Sequence, residues 1–265
     1  MRGRLRRIDA PVGVAILFSS LLPLIQISLH VVAKSRLVTG DPAAQQTGIG
    51  VLYNLPDALS YASWAAQAKL GYVTFVDLFT TEVHTRALFN LYFLIVGFLS
   101  RVIGIDPLSL MEISSFALGP LSIFAILLIA RGLKFDASAQ VTSLVFVLLG
   151  SGLSGLMIML ETLGLPLLRP GADAYYLDLF PLTSLVFYPY HAATFVLLAL
   201  IVLVSIRIFA ASDGPVPAGR ATLLGALFLI TGLVRPYEAV TLALVFNLTA
   251  LFGIVANRGA NLRQT

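Results

Sequence analysis

The sequence predicts an all-α fold, a polytopic bundle of about six or seven membrane helices with short interfacial helices in its first outer loop. Three observations carry that prediction. The first is composition. Of 265 residues, 58% are hydrophobic and 11% charged, with a mean hydropathy of +0.93. A soluble domain carries about 25% charged residues. The second is recurrence of apolar runs, at 11–33, 87–104, 114–131, 139–160, 183–207, 221–234 and 236–256. With no water in a bilayer core to satisfy backbone polar groups, runs of this kind must be helices. The third is the gathering of Arg and Lys at the ends of these runs, where they set orientation.

Taken in order, Met1–Arg7 is basic and leads into the run 11–33. A signal peptide starts the same way, but about 20 apolar residues suffice to cross a core of about 30 Å. Val31-Val32-Ala33 is a poor cleavage site, so the run reads as an uncleaved first helix. Arg2, Arg4, Arg6 and Arg7 place the N-terminus on the cytoplasmic side. Arg131 with Lys134, Arg207 with Arg220, and Arg258 with Arg263 fall on that same side. The segments 34–86, 161–182 and Arg235–Glu238 then lie outside. This assignment leaves a conflict of parity. The runs 87–104 and 114–131 both fall between an outer and an inner loop, where an odd number is required. Either 87–104 is tilted or re-entrant, or Arg131 and Lys134 break the rule.

The outer loop 34–86 is long for a connection, and long loops carry function or elements of their own. Asn54 suits an N-cap and Pro56 a first turn, so 55–70 reads as a short helix. Asp57, Tyr61 and Trp64 share one face of it. Aromatic residues favour the water–lipid boundary, so this helix is expected to lie along the outer membrane surface. Residues 161–182, broken by Pro166, Pro170 and Gly171, are polar and aromatic in the same way.

Several function classes drop out. The chain has no cysteine, which removes disulfides, thiolate metal sites and a Cys nucleophile. The net charge of +4 is spread over loop ends and makes no nucleic-acid footprint. Gly150–Gly155 spells GxGxxG but sits in an apolar run without the strand a dinucleotide site needs; small residues there serve close helix packing. Asn247-Leu248-Thr249 is a glycosylation triplet inside another apolar run, out of reach of modification.

Five places hold polar groups that chemistry would use. Asp57 could take a proton from an acceptor hydroxyl, or simply complement its helix N-terminus. Glu82 and His84, in Thr80-Thr81-Glu82-Val83-His84-Thr85-Arg86, could contribute to a metal site, although two ligands are fewer than zinc takes, or Arg86 and His84 could hold phosphate; the alternative is a solvated loop end. His191 follows Tyr188-Pro189-Tyr190 and opens an apolar run, where an ionisable group is costly and marks function by default; it could equally stay neutral on a backbone carbonyl. Arg235 and Glu238 sit at a helix break, paired with each other or lining a cavity in which Arg235 suits a lipid phosphate. Tyr61 joins them as a cavity residue.

The order of basic N-terminus, one helix and a long outer loop carrying Asp57-x-x-x-Tyr61-x-x-Trp64-x-x-Gln67-x-x-x-Gly71 and then Thr80-Thr81-Glu82-x-His84 resembles the N-terminal module of the GT-C glycosyltransferases, polytopic enzymes that use lipid-phosphate-linked sugars. The resemblance implies a catalytic role for Asp57, and donor phosphate or a divalent metal at Glu82 and His84. It implies a looser match of His191 and Arg235 to later outer-side polar residues. The implied partners are membrane lipid and a lipid-linked sugar donor, and the implied place is the cell's inner membrane. Asp57 lacks the neighbouring acid often found in that family, and family members are usually longer, so a fragment, with further helices or a partner chain supplying the rest, is the expectation. The rival readings are half of a transporter, which would show broken helices and related repeats, and a non-catalytic membrane scaffold.

Overall fold

The computed structural model describes residues 9–38, 55–82, 85–149, 189–209 and 216–262. Among these the chain is helical: α1 (Ala10–Val38), α2 (Leu55–Lys69), α3 (Leu91–Ile103), α4 (Pro107–Gly132), α5 (Ala137–Leu149), α6 (Pro189–Phe209), α7 (Ala218–Val234) and α8 (Pro236–Leu262). One isolated antiparallel bridge joins Phe75 to Leu88. Three segments, Ala10–Ser28, Pro107–Gly132 and Pro189–Ile208, are long and apolar enough to cross a membrane, while Leu91–Ile103, Ala137–Leu148 and Ala218–Val234 are apolar but shorter. The loop 161–182 lies outside the described residues.

Local chemistry explains where these helices start and stop. The run expected at 114–131 begins seven residues earlier, at Pro107. Asp106 is its N-cap, with the carboxylate accepting from the Ser109 N–H at 2.9 Å, and proline suits the first helical position because its missing N–H would be unpaired there anyway. Hydrogen bonds from Ser109 hold the Asp106 carboxyl below the usual carboxylate range. The run at 87–104 contracts to 91–103. Asn90 caps it through Oδ1, which accepts from the N–H groups of Tyr92 and Phe93. Gly104, in the left-handed region at φ 82°, closes it and donates to the Ser100 carbonyl. α7 and α8 are separated by Arg235 alone, as the sequence predicts. A residue before proline is driven out of the helical region, and Arg235 is extended at φ −141°, ψ 91°.

Three sets of contacts fix the arrangement. Asp9 pairs with Arg131 at 2.8 Å, and the Gln26 side chain donates to Ser115 Oγ at 3.0 Å. As α1 ascends α4 descends, so the two are antiparallel. The Asp9–Arg131 pair is half exposed and worth no more than about 1 kcal/mol, but it marks the end where α1 begins and α4 finishes. α6 runs parallel to α4: Ser122 Oγ donates to the Ala192 carbonyl at 3.3 Å, and ten residues on Gly132 faces Ile206. α6 therefore begins beside the middle of α4, leaving space along the N-terminal half of α4. α2 and α3 fill that space, parallel to each other. Tyr61 stacks on Phe93 with ring centroids 5.1 Å apart, Gly97 lies against Ala65 and Ala68, and Arg101 reaches Gly71.

Helix length bears on the parity conflict. At about 1.5 Å per residue α3 is about 20 Å long, too short for a core of about 30 Å, whereas the 26 residues of α4 measure about 39 Å. α3 rises and α4 returns, with Tyr92 OH against Ser114 Oγ at 2.9 Å low on the pair and Ser100 Oγ donating to the Ile105 carbonyl at its top. Of the two, α4 alone has the length of a span, and α3 has the length that the re-entrant alternative needs.

The expected helix at 55–70 is present as α2, but its aromatic face does something else. Tyr61 and Trp64 are packed against Phe93 rather than turned to a boundary. The reason is Ala65, Ala68 and Gly97, whose lack of bulk lets α3 approach until its backbone touches α2. The aromatic side chains one turn earlier are then enclosed.

Candidate functional site

The polar groups that the structure brings together meet where α7 ends, α8 begins and the N-termini of α3 and α6 converge. Tyr190 is at the centre. Its ring lies 5.5 Å from Tyr61, 5.2 Å from Phe93, 5.9 Å from Tyr92 and 5.3 Å from His191. Its hydroxyl donates to the Val234 carbonyl at 3.2 Å, which also accepts from Asn90 Nδ2 at 2.7 Å. The last carbonyls of a helix have no intrahelical partner. Asn90 and Tyr190 supply donors to one of them and tie the end of α7 to α3 and α6.

That tie holds Arg235. As C-cap of α7 it accepts in turn from the N–H groups of Glu238 and Ala239, so one extended residue closes one helix and opens the next. Its side chain is driven inward: only 8% of Arg235 is exposed. The guanidinium carbon lies 4.5 Å from the Tyr237 ring centroid and 5.3 Å from that of Tyr190, close enough for cation–π attraction to both. The nearest Glu238 oxygen is 3.7 Å from Nη2. That is an ion pair and not a hydrogen bond, which does not extend to about 3.6 Å. Nε is buried and has no hydrogen-bond partner. A buried donor left unpaired costs about 1–3 kcal/mol, and more in a charged group. Two aromatic faces and one distant carboxylate leave this cation under-satisfied. Its planar fork matches the oxygens of a phosphate or carboxylate.

The sequence-predicted residues divide accordingly. Tyr61, His191 and Arg235 gather around Tyr190, with Glu238 paired to Arg235 and His191 buried. Asp57 lies one turn before Tyr61 on α2; its side chain is outside the described residues, as is the whole of His84. Glu82 is exposed on a separate loop, its N–H donating to Thr80 Oγ1 at 3.2 Å. No group of three or more His, Asp or Glu side chains that could hold a metal forms among the described residues. Asn247 is helical, its side-chain amide donating to the Ala243 carbonyl.

The loop bearing Glu82 is anchored by Gln67. The Gln67 amide donates to the Val76 carbonyl and accepts from the Val76 N–H, each at 2.9 Å, and its oxygen also takes Arg86 Nη1 at 2.9 Å. Arg86 in turn covers the Tyr72 ring at 3.7 Å. Gln67 is buried, so a Gln67→Leu substitution leaves a backbone N–H and C=O unpaired. It is expected to cost about 1–3 kcal/mol of local stability and to speed amide exchange at Val76 and Leu88 while α4 and α6 stay protected. Unchanged exchange at Val76 would contradict the anchor.

Sequence reasoning missed Tyr190, Asn90 and Tyr237. Each stands immediately beside a residue it did single out or at a helix start: Tyr190 before His191, Tyr237 between Pro236 and Glu238, Asn90 as an N-cap ahead of an apolar run. The N-cap preference of asparagine was a usable signal for the last. Comparison with protein-family models, with curated proteins and with solved structures finds no match to this chain.

Proposed function

We propose that the chain is an inner-membrane glycosyltransferase of the GT-C type, or the N-terminal half of one, with about six or seven membrane helices and a cytoplasmic N-terminus. It moves a sugar from a polyprenyl-phosphate donor to an acceptor on the outer face. The observation that carries this reading is Arg235, a buried guanidinium between two tyrosine rings with an unpartnered Nε. It stands at the same end of the bundle as α2, which bears Asp57 and Tyr61. An anionic ligand would complete the hydrogen bonding of that cation, and the long apolar helices suit a donor that lives in the bilayer.

In this scheme Arg235 neutralises the phosphate as it departs, which acts on charge that develops in the transition state. Asp57 takes the proton of the acceptor hydroxyl. Tyr190 lies beside Arg235 and against Tyr61 and His191, so these side chains would surround the donor phosphate. Glu238 holds Arg235 in place until the donor arrives.

The test is transfer of radiolabelled sugar from polyprenyl-phosphate donors by the full chain in nanodiscs. Loss of the general base should slow transfer by about 10²-fold or more, so Asp57→Asn is expected to retain about a hundredth of wild-type activity with unchanged thermal stability. A folded Asp57→Asn protein with full activity removes Asp57 from the mechanism.

A further inference from the structure

α3 is apolar on all sides, yet only one side is covered. Tyr92, Phe93, Val96, Gly97 and Ser100 are buried. The opposite face, Ile95, Phe98, Leu99, Val102 and Ile103, is open, with Phe98 61% and Val102 66% exposed. An uncovered stripe of this kind on a helix needs a partner. Where α3 stands says which one. It runs alongside the N-terminal half of α4, a helix long and apolar enough to span, and it starts level with the buried ring of Tyr190.

The two ends of α3 differ in the way the two depths of a leaflet differ. At the lower end the polar groups of α3 itself are satisfied within the protein. Asn90 Oδ1 accepts from two helix N–H groups and Nδ2 donates to Val234. Tyr92 OH meets Ser114 Oγ, which donates to the Met111 carbonyl at 2.7 Å. Internal satisfaction is what hydrocarbon demands. The upper end carries charges: Arg101 in the last turn, Lys69 closing α2, and Asp106 beyond. Lys69 Nζ donates to the Ile105 carbonyl at 3.4 Å, which leaves further N–H donors on that ammonium. Arg101 reaches the turn at Gly71. Beside these cations Leu70, at 75%, and Val73 are open. Apolar side chains next to snorkelling Lys and Arg make the composition of a membrane interface.

We propose that α3 is a half-membrane helix whose open face lies against the acyl chains of one leaflet, with Lys69 and Arg101 holding the phosphate of an anionic lipid at its upper end. The proposal rests on the reading that α4 crosses a bilayer; it does not depend on sugar transfer.

The test uses the single tryptophan of the chain. Trp64→Phe removes it, and two reporters are built in that background: Phe98→Trp on the open face of α3, and Leu121→Trp, 52% exposed near the middle of α4. Each full-length protein is placed in nanodiscs with phosphatidylcholine brominated at shallow or at deep acyl positions. The Phe98→Trp emission is expected to be lost most to shallow bromines, and the Leu121→Trp emission to deep ones. Quenching at Leu121→Trp without any at Phe98→Trp overturns the proposal and leaves the spanning reading in place; the α3 face then belongs to water or to a protein partner. Absence of quenching at both removes the spanning reading and the proposal with it. For the headgroup, Phe98→Trp quenching by brominated phosphatidylglycerol is compared with that by brominated phosphatidylcholine. Lys69→Gln and Arg101→Gln should each lower the preference for the anionic lipid by about fivefold. A preference that neither substitution changes overturns the phosphate site.

Discussion

Arg235→Gln is expected to reduce sugar transfer by about 10²–10³-fold, the loss that follows removal of one preorganised group facing developing charge. The expectation follows from desolvation. Arg235 is buried at the junction of α7 and α8, where an electrostatic contact is worth far more than in water. Among the described residues its Nε has no partner and its nearest carboxylate oxygen is 3.7 Å away. The kinetic signature matters more than the size of the loss. A group that binds donor phosphate and also stabilises the leaving phosphate should raise KM for the lipid donor and lower kcat, whereas a group that merely holds α7 to α8 should leave KM unchanged. Arg235→Lys is expected to recover little, because an ammonium cannot reproduce the planar fork or stack on Tyr237. Glu238→Gln should act in the opposite sense on binding: with the competing carboxylate gone, donor KM falls. An Arg235→Gln protein with the donor KM and kcat of wild type would sink the phosphate role.

The helices were legible in the sequence because hydrophobic runs report burial or lipid contact directly. Arg235-Pro236 was legible for a sharper reason, since a proline constrains its own φ and its predecessor's conformation whatever surrounds them. Length was legible at α4 only in part: the run from Ser114 was seen, but the first turns from Pro107 carry Ser109 and Glu112, and these polar residues hid them. The relation between helices was not legible. Nothing in the residues from Asp57 to Lys69 says that the Tyr61–Trp64 face meets Phe93, because aromatic rings serve a lipid boundary and a core equally well. What decides between them is Gly97, more than 30 residues away in the chain, and its effect exists only once α2 and α3 run parallel.

The candidate site divides in the same way. Arg235, Glu238 and His191 stood out because charge and imidazole are rare in apolar sequence. Tyr190 did not, because a tyrosine at a helix start carries no such contrast, and yet its ring is the surface on which Tyr61, His191 and Arg235 are collected. Glu82 was singled out by its neighbours in sequence, whereas the structure gives the organising role in that loop to Gln67, whose amide replaces a turn's backbone hydrogen bonds.

Gly97→Leu is expected to be the most damaging single substitution in the described bundle. A Cβ at position 97 would overlap Ala68 Cβ and the Ala65 carbonyl oxygen and would sit 2.7 Å from the Lys69 nitrogen. Two of these three neighbours are backbone atoms of α2, which no side-chain rotation can move aside. Overpacking a core costs about 1–3 kcal/mol where side chains can adjust, and more where they cannot, so a loss of about 3 kcal/mol or more is expected. The damage should propagate along a definite route. Forcing α3 from α2 separates Phe93 from Tyr61 and Trp64, and moving Asn90 removes its hydrogen bond to Val234, which helps fix the position of Arg235. Gly97→Leu should therefore lower the thermal midpoint and abolish donor binding together. Gly225→Ala is the control: nothing lies within 4 Å of its added Cβ, and alanine is the better helix former by about 1 kcal/mol. Thermal unfolding in detergent should show Gly225→Ala at or above the wild-type midpoint and Gly97→Leu well below it. Equal midpoints for the two variants would mean that α2 and α3 do not pack through Gly97, and the aromatic wall around Tyr190 would then lack its support.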